Sequence, residues 1–413
     1  MIKCCLKKTP ITRRLLLVLL AWVFLPTGWV SSSSLQEDID HGGYWFTTTS
    51  KPLRLKETTG FIPASTTKLV TALAGLRILG SDYRFSTDFL YDGKGALTII
   101  GGGDPLLISE EIDKICRALK LRGVSRVHTL RLETSLFHLP QPALGTEQTE
   151  QPYDAHNGAL VVNFNSINVR VDETGIVLSA EEQTPQLALM KDIVGLEAGK
   201  HRINVNQMVA DDLPPVLRYS GELFLALLKR NGINTEDARI ARGKAVEKSQ
   251  LVLHWQSSCN LQETIGKCLK YSNNFIANQI FLQIGLHQYG APATWEKGRR
   301  ALNTFIQNDL RIEKSQLQLV EGSGLSRDNH ISPRAMITVL ENFAPYHSLL
   351  PYNSQTRTFI KTGTLRGVYC LAGFQPRGEK LYPFVIFLNQ IKNSRMSVLE
   401  DLIHLSRQKK EGA

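Results

Sequence analysis

The chain has 413 residues, 42% of them apolar, and its 48 Lys and Arg against 38 Asp and Glu leave a net charge of +10. That length excludes a single ordinary domain, and the apolar content is enough for two cores, so two lobes are expected. The positive balance suits polyanionic surroundings such as a cell wall or anionic lipid headgroups, whereas no basic run interleaved with aromatics argues for nucleic acid.

The chain opens with Lys3, Lys7, Lys8, Arg13 and Arg14 and no acid, then an apolar run over 15–25 broken by Pro26 and Gly28, then Ser31 to Ser34. A basic start, about 11 apolar residues and a small-residue end read as an export signal over 1–33. The run is well short of the about 20 residues that an uninterrupted membrane span needs. Losing the five cations would bring the net charge from +10 to +5.

Residues 42–47 read as an early strand. Residues 61–64 then lead into a helical pattern over 65–79, in which Leu69, Ala72, Leu73, Leu76 and Leu79 recur at spacings of three and four before Gly80. Ser65 therefore falls near a helix start, with Lys68 one turn on and on the same face.

From Ser81 the texture changes to short strands and turns. Residues 96–100 run into Gly101-Gly102-Gly103-Asp104-Pro105, and 160–169 and 175–178 look like hairpin arms around Asp172-Glu173-Thr174. One helix over 216–229 interrupts this pattern and stops at Asn231-Gly232. The stretch 81–254 reads as a separate, mostly β lobe inserted into a catalytic lobe made of 34–80 and 255–413.

Catalytic-lobe texture resumes near Cys259, with a helix over 275–284 directly after Ser272-Asn273-Asn274. A strand over 358–363 follows, then a hairpin of 368–374 with 383–388 closed at Gln375-Pro376-Arg377-Gly378, and a last helix over 396–406 placed to cover one sheet face. No internal repeat is visible.

Cys4 and Cys5 leave with the signal. Among Cys116, Cys259, Cys268 and Cys370 three complete pairings exist, Cys259 with Cys268 being favoured and buried free thiols the alternative. Neither C-x-x-C nor H-E-x-x-H occurs, so no metal or organic cofactor is expected.

Three short motifs carry the chemistry: Ser65-Thr66-Thr67-Lys68, Ser272-Asn273-Asn274 and Lys361-Thr362-Gly363-Thr364. Alone, the first two have ordinary explanations as helix caps with a solvated lysine, whereas Lys-Thr-Gly-Thr inside a strand is harder to dismiss because glycine is depleted there. In this order they are the parts of a serine acyl-transfer site whose base is a lysine. A serine hydroxyl is a poor nucleophile until a base takes its proton, and a lysine three residues on in a helix puts its amine beside that hydroxyl. The amine must be neutral near pH 7, which burial or a neighbouring positive charge, here Lys361, would bring about. The amides of Ser65 and Thr364 are the natural pair of oxyanion donors. Gly363 lets an acyl group lie close to the strand, and Lys361, Thr362 and Thr364 offer a substrate carboxylate one charge and two hydroxyls.

With these motifs the chain resembles the serine D-alanyl-D-alanine carboxypeptidases among the class C low-molecular-weight penicillin-binding proteins. The resemblance extends to Gly101 to Pro105, Val162-Asn163-Phe164-Asn165-Ser166, Gly322-Ser323-Gly324-Leu325-Ser326-Arg327 and Lys361 to Gly367. It implies an α/β fold with a five-stranded antiparallel sheet flanked by helices, plus the inserted lobe. It also implies an exported, periplasmic enzyme that acts on peptidoglycan stem peptides and is trapped by β-lactams as covalent inhibitors. In the family's scheme Ser65 attacks the D-Ala-D-Ala carbonyl, Lys68 takes its proton, Ser272 and Lys361 relay protons to the leaving D-alanine, and Asn274 holds the substrate amide. A family aspartate that reads the diamino-acid side chain corresponds to Asp154. Two departures bear on substrate positioning: a shortened segment between Arg327 and Lys361, and Ala277-Asn278 where the family shows Ala-Glu. A β-lactamase is one alternative, although no E-x-x-x-N pattern occurs where class A enzymes need it; a catalytically idle wall-binding or β-lactam-sensing module is the other.

Overall fold

The computed structural model describes residues 35, 37–147, 149–208 and 212–411, so the expected export signal lies outside the described residues. In chain order β1 (Gly42–Phe46) and β2 (Leu53–Leu55) precede α1 (Lys68–Ile78). Then come β3 (Ser86–Tyr91), β4 (Ala96–Gly101), α2 (Ser109–Leu121), β5 (Thr129–Glu133), β6 (Ser166–Val171), β7 (Val177–Ser179), β8 (Gly199–Asn204), α3 (Pro215–Arg230), β9 (Arg239–Arg242) and β10 (Gln250–Gln256). The chain continues through α4 (Leu261–Tyr271), α5 (Asn274–Tyr289), α6 (Trp295–Asn308), β11 (Leu317–Gln318), β12 (His330–Ile331) and α7 (Pro333–Phe343). It closes with β13 (Tyr352–Asn353), β14 (Thr358–Leu365), β15 (Val368–Arg377), β16 (Lys380–Leu388) and α8 (Arg395–Glu411).

The main sheet runs β13-β14-β15-β16-β1-β2 with every neighbouring pair antiparallel. Strand alternation sorts its side chains between two cores. Cys370, Ala372, Phe374, Val385 and Phe387 meet α1, α4, α5 and α7 on one face, while Leu371, Phe384, Ile386 and Leu388 meet Val398, Leu399 and Leu402 of α8 on the other. The expected five strands gain a sixth at the edge, the two-residue β13. The expected turn at 375–378 is absorbed into the hairpin, because Gln375, Pro376 and Arg377 pair onward with Tyr382, Leu381 and Lys380.

The helix expected over 65–79 divides in two: a 3₁₀ turn at Ala64–Thr67, then α1, stopped before Gly80 at φ +91°. Every residue from Lys68 to Leu76 is buried. A helix buried all round belongs to the centre of its lobe rather than to its surface.

Between them β3–β10 form one sheet ordered β10-β3-β4-β5-β9 and a smaller one ordered β7-β6-β8. The buried residues of a second hydrophobic core run from Phe89 to Leu253, with the half-buried Trp255 packed against them. This stretch has more helix than its turn-rich sequence suggests: α2 crosses between β4 and β5, and β4–β5 and β5–β9 pair in parallel. A crossover helix of this kind is what a parallel pair requires.

The favoured disulfide is absent. Cys116, Cys259, Cys268 and Cys370 are all free thiols. Cys259 precedes α4 and Cys268 lies in its last turns, so the helical rise between them, on the order of 10 Å, exceeds what a disulfide bridges.

Candidate active site

The turn that carries Ser65 is shaped by its flanks. Asn389, just past β16, grips Ile62 from both sides: the Ile62 amide donates to Asn389 Oδ1 (2.8 Å) and Asn389 Nδ2 donates to the Ile62 carbonyl (3.1 Å). Thr66 Oγ1 donates to the Pro63 carbonyl (2.7 Å), closing the 3₁₀ turn. Ala64 is held at φ +47°, a left-handed conformation that an alanine adopts only where its surroundings impose it.

Two glycines make this turn possible. A Cβ on Gly363 would lie 2.6 Å from the Pro63 carbonyl oxygen, and one on Gly324, at φ +87°, 1.9 Å from that of Ala64. Strand β14 and the 322–326 loop thus press directly on the backbone that presents Ser65.

Lys68 is 1% exposed. Its Nζ donates to Ser65 Oγ (3.0 Å), Asn274 Oδ1 (2.7 Å) and the Ser323 carbonyl (2.7 Å). Burial lowers its pKa to about 8, against smaller upward pulls from Cys268 and Glu321. Glu321 is itself fully buried and accepts from the Ser323 amide and hydroxyl, the Gly324 amide and Asn329 Nδ2, so it builds the loop whose carbonyl holds Lys68.

Ser272 caps α4 in a left-handed conformation, φ +52°, and Asn273 starts α5 by accepting from the Ile276 amide (2.9 Å). The short link turns the Ser272 hydroxyl toward β14, where Lys361 Nζ donates to it (2.9 Å) and to the Thr362 carbonyl (2.8 Å). Lys361 is 2% exposed, and its pKa falls to about 7 through burial first and the nearby charge of Lys68 second. Of the two expected causes, burial carries the depression at Lys68, and the charge coupling between the two lysines shows in the value of Lys361.

Above these amines opens a cleft of about 680 Å³ lined by Ser65, Ser272, Asn274 and Thr364 together with Tyr153, Asp154, Glu147, Arg327 and Arg366. Thr362 and Thr364 share the exposed side of β14, whereas Lys361 and Gly363 face inward; Thr362 lies outside the cleft lining. Asp154 borders the cleft, but its carboxylate is 1% exposed and accepts from Thr149 Oγ1 (2.5 Å), the Thr149 amide (3.2 Å) and the Glu147 amide (3.4 Å). Those bonds turn it to its own loop, while Glu147 is the exposed acid on the same wall.

Sequence reading alone did not single out Asn389, Glu321 or Glu147. Glu321 adjoins the Gly322 to Arg327 segment, a usable signal; Asn389 and Glu147 have none. Among the described residues no group of three or more His, Cys, Asp or Glu could hold a metal ion, and no helix is long and apolar enough to cross a membrane.

The sequence profile of the D-Ala-D-Ala carboxypeptidase 3 (S13) family matches residues 47–212 and 216–356, which takes in the Ser65 and Ser272 motifs and stops short of Lys361. The D-alanyl-D-alanine carboxypeptidase DacB of Haemophilus influenzae is 27% identical over 394 residues, covering 80% of this chain and 81% of that protein. A D-alanyl-D-alanine carboxypeptidase of Actinomadura sp. (strain R39) is 24% identical over 409 residues, covering 83% and 76%. Among solved structures, penicillin binding protein 4 from Haemophilus influenzae superposes with a TM-score of 0.75 at 21% identity, over 92% of this chain and 99% of that one. Likeness at that identity establishes the fold: a penicillin-binding-protein lobe with an inserted second lobe.

Proposed function

This chain belongs to the D-Ala-D-Ala carboxypeptidase 3 (S13) family, and from that membership and the cleft we propose a serine D-alanyl-D-alanine carboxypeptidase that works through an acyl-enzyme on Ser65. The observation that carries the assignment of roles is the 3.0 Å contact of Lys68 Nζ with Ser65 Oγ, made by an amine whose pKa is near 8. A neutral amine has two protons, which suit the two 2.7 Å acceptors Asn274 Oδ1 and the Ser323 carbonyl, and a lone pair left for the Ser65 proton. Once Ser65 attacks the D-Ala-D-Ala carbonyl, Ser272, bonded to Lys361, delivers a proton to the departing amine. Asn274 holds the substrate amide, the Ser65 and Thr364 amides receive the oxyanion, and Thr364 receives the carboxylate from the cleft wall with the charge of Lys361 behind it, while Thr362, outside the lining, takes no direct part. Water then releases the acyl group.

The same reading takes in peptidoglycan stem peptides as substrate, endopeptidase cleavage of crosslinks through the same acyl-enzyme, and β-lactams as slow acylating inhibitors. Export to the periplasm is supported by the basic and apolar pattern of residues 1–33, and wall association by the positive net charge. The lobe division at 81–254 is supported by the separate core between Phe89 and Leu253. Asp154 stays in this reading as a wall of the diamino-acid subsite, acting through Glu147 and Thr149, whose groups it accepts from.

Labelled benzylpenicillin tests the assignment. We expect one covalent adduct on Ser65, formed at a rate that peaks between about pH 7 and about 8, since Lys68 must be neutral and Lys361 charged, and none with Ser65→Ala. An adduct elsewhere, or none on the parent protein, would refute it; rapid turnover of the drug would replace it with a β-lactamase.

A further inference from the structure

We propose that Arg395 is a positioning residue that makes the cleft prefer substrates ending in a free carboxylate, by presenting the Thr364 hydroxyl proton to that group; this rests on Ser65 being the acylated nucleophile. Arg395 opens α8, and its Nη1 donates to the Gly363 carbonyl (2.9 Å) and to Thr364 Oγ1 (2.7 Å). A threonine hydroxyl has one proton. With its oxygen already accepting from a guanidinium, the Thr364 hydroxyl has that proton to give, and Thr364 lines the cleft beside Ser65. The hydroxyl thus offers a donor to an acceptor oxygen on the substrate.

Charge points the same way. Arg395 is half-buried and makes no ion pair among the described residues, and a guanidinium keeps its charge even where burial disfavours it, as here. Its charge also disfavours protonation of Lys361. A substrate carboxylate at Thr364 would meet this uncompensated cation, whereas a neutral C-terminal amide would gain nothing from it.

The position of Arg395 is built from the opposite side of the sheet. Ser394 Oγ donates to the Asp38 carbonyl (2.5 Å), Gln390 Nε2 donates to Ser394 Oγ (3.1 Å), and Val398, Leu399 and Leu402 seat α8 against Leu371 and Ile386. The helix that covers the outer face thereby delivers a cation to the edge of the catalytic strand.

The test uses the whole protein and two acyl-D-Ala-D-Ala substrates that differ only in a C-terminal acid or primary amide. Arg395→Gln is expected to lower kcat/KM for the acid about tenfold or more, mainly through KM, and to leave the amide within twofold. Arg395→Lys, which keeps the charge, is expected to retain most of the preference. Thr364→Val, at a residue of the site itself, should lower activity on both substrates but cost the acid more than the amide, and the double variant should lose no more of the acid preference than either alone. Equal losses on both substrates, an acid preference that survives Arg395→Gln, or additive losses in the double variant would each overturn the inference. Penicillin labelling of the parent separates the two levels: an unlabelled parent defeats the active-site reading, and a labelled parent with unchanged preference in the variants defeats only this one.

Discussion

Two lysines buried within one cleft cost the fold stability, and the cost depends on pH. Lys68 has an ordinary pKa of 10.5 in the unfolded chain and about 8 when folded. Between those values the unfolded state binds more protons, so stability rises with pH across the window, opposite in sense to the usual salt-bridged lysine. Lys68→Met removes this dependence while leaving Lys361 in place. We expect the parent to gain about 2 kcal/mol of unfolding free energy on the variant between pH 7 and pH 10, measured by urea unfolding at each pH. Parallel curves would mean that Lys68 is not desolvated in solution. The same burial that destabilises the charged amine is what fits it to accept a proton from Ser65, so the stability lost here and the proposed activity have one cause.

Strand β14 meets the turn that carries Ser65 at contact distance, and that closeness fixes the Thr364 amide, a proposed oxyanion donor, relative to Ser65. Gly363→Ala inserts a methyl group 2.6 Å from the Pro63 carbonyl oxygen and 3.2 Å from Ala64 Cβ. Strand and turn must separate. Because both remain tied elsewhere, β14 to β15 along seven residue pairs and the turn to Asn389, the shift concentrates at the site. Acylation by penicillin is expected to slow about a hundredfold with only a small change in melting temperature. A variant that acylates at the parental rate would show that the approach of β14 is unimportant. Helix α5 gives a contrasting case: its start is set locally by the left-handed Ser272 and the Asn273 cap, which fix the direction in which the Ser272 hydroxyl leaves the chain.

The two lobes meet through a polar knot on α5. Gln279 is fully buried. Its Nε2 donates to the Gly103 and Gly158 carbonyls (2.7 and 3.0 Å), and its Oε1 accepts from Asn157 Nδ2 (3.0 Å) and the Gly158 amide (3.2 Å). Phe164, at φ +60°, adds an edge-on contact with Phe275 in the first turn of α5. The Gly101 to Pro105 and Val162 to Ser166 segments, singled out in the sequence without a role, both lie at this junction. Gln279→Ala would strand several buried backbone groups, and we expect a loss of about 3 kcal/mol that appears as an earlier, less cooperative thermal transition. A single transition at the parental temperature would show that the knot carries no stability.

The three motifs, the strand and helix that bear them, the central hairpin and the terminal helix were all legible in the amino-acid order, because each is a local matter of spacing, capping and apolar period. Ser65 with Lys68, and Ser272 with Asn274, needed nothing beyond a few neighbouring residues. Other features depend on how distant elements pack: Asn389 gripping Ile62 across more than three hundred positions, and Arg395 of the terminal helix reaching Thr364 on β14. The parallel strands of the insertion belong to the same class. Local pattern sets which elements form, since backbone geometry and burial act over a turn or a strand; which side chains from distant elements share a pocket, and which charges go without a partner, follows from packing those elements together.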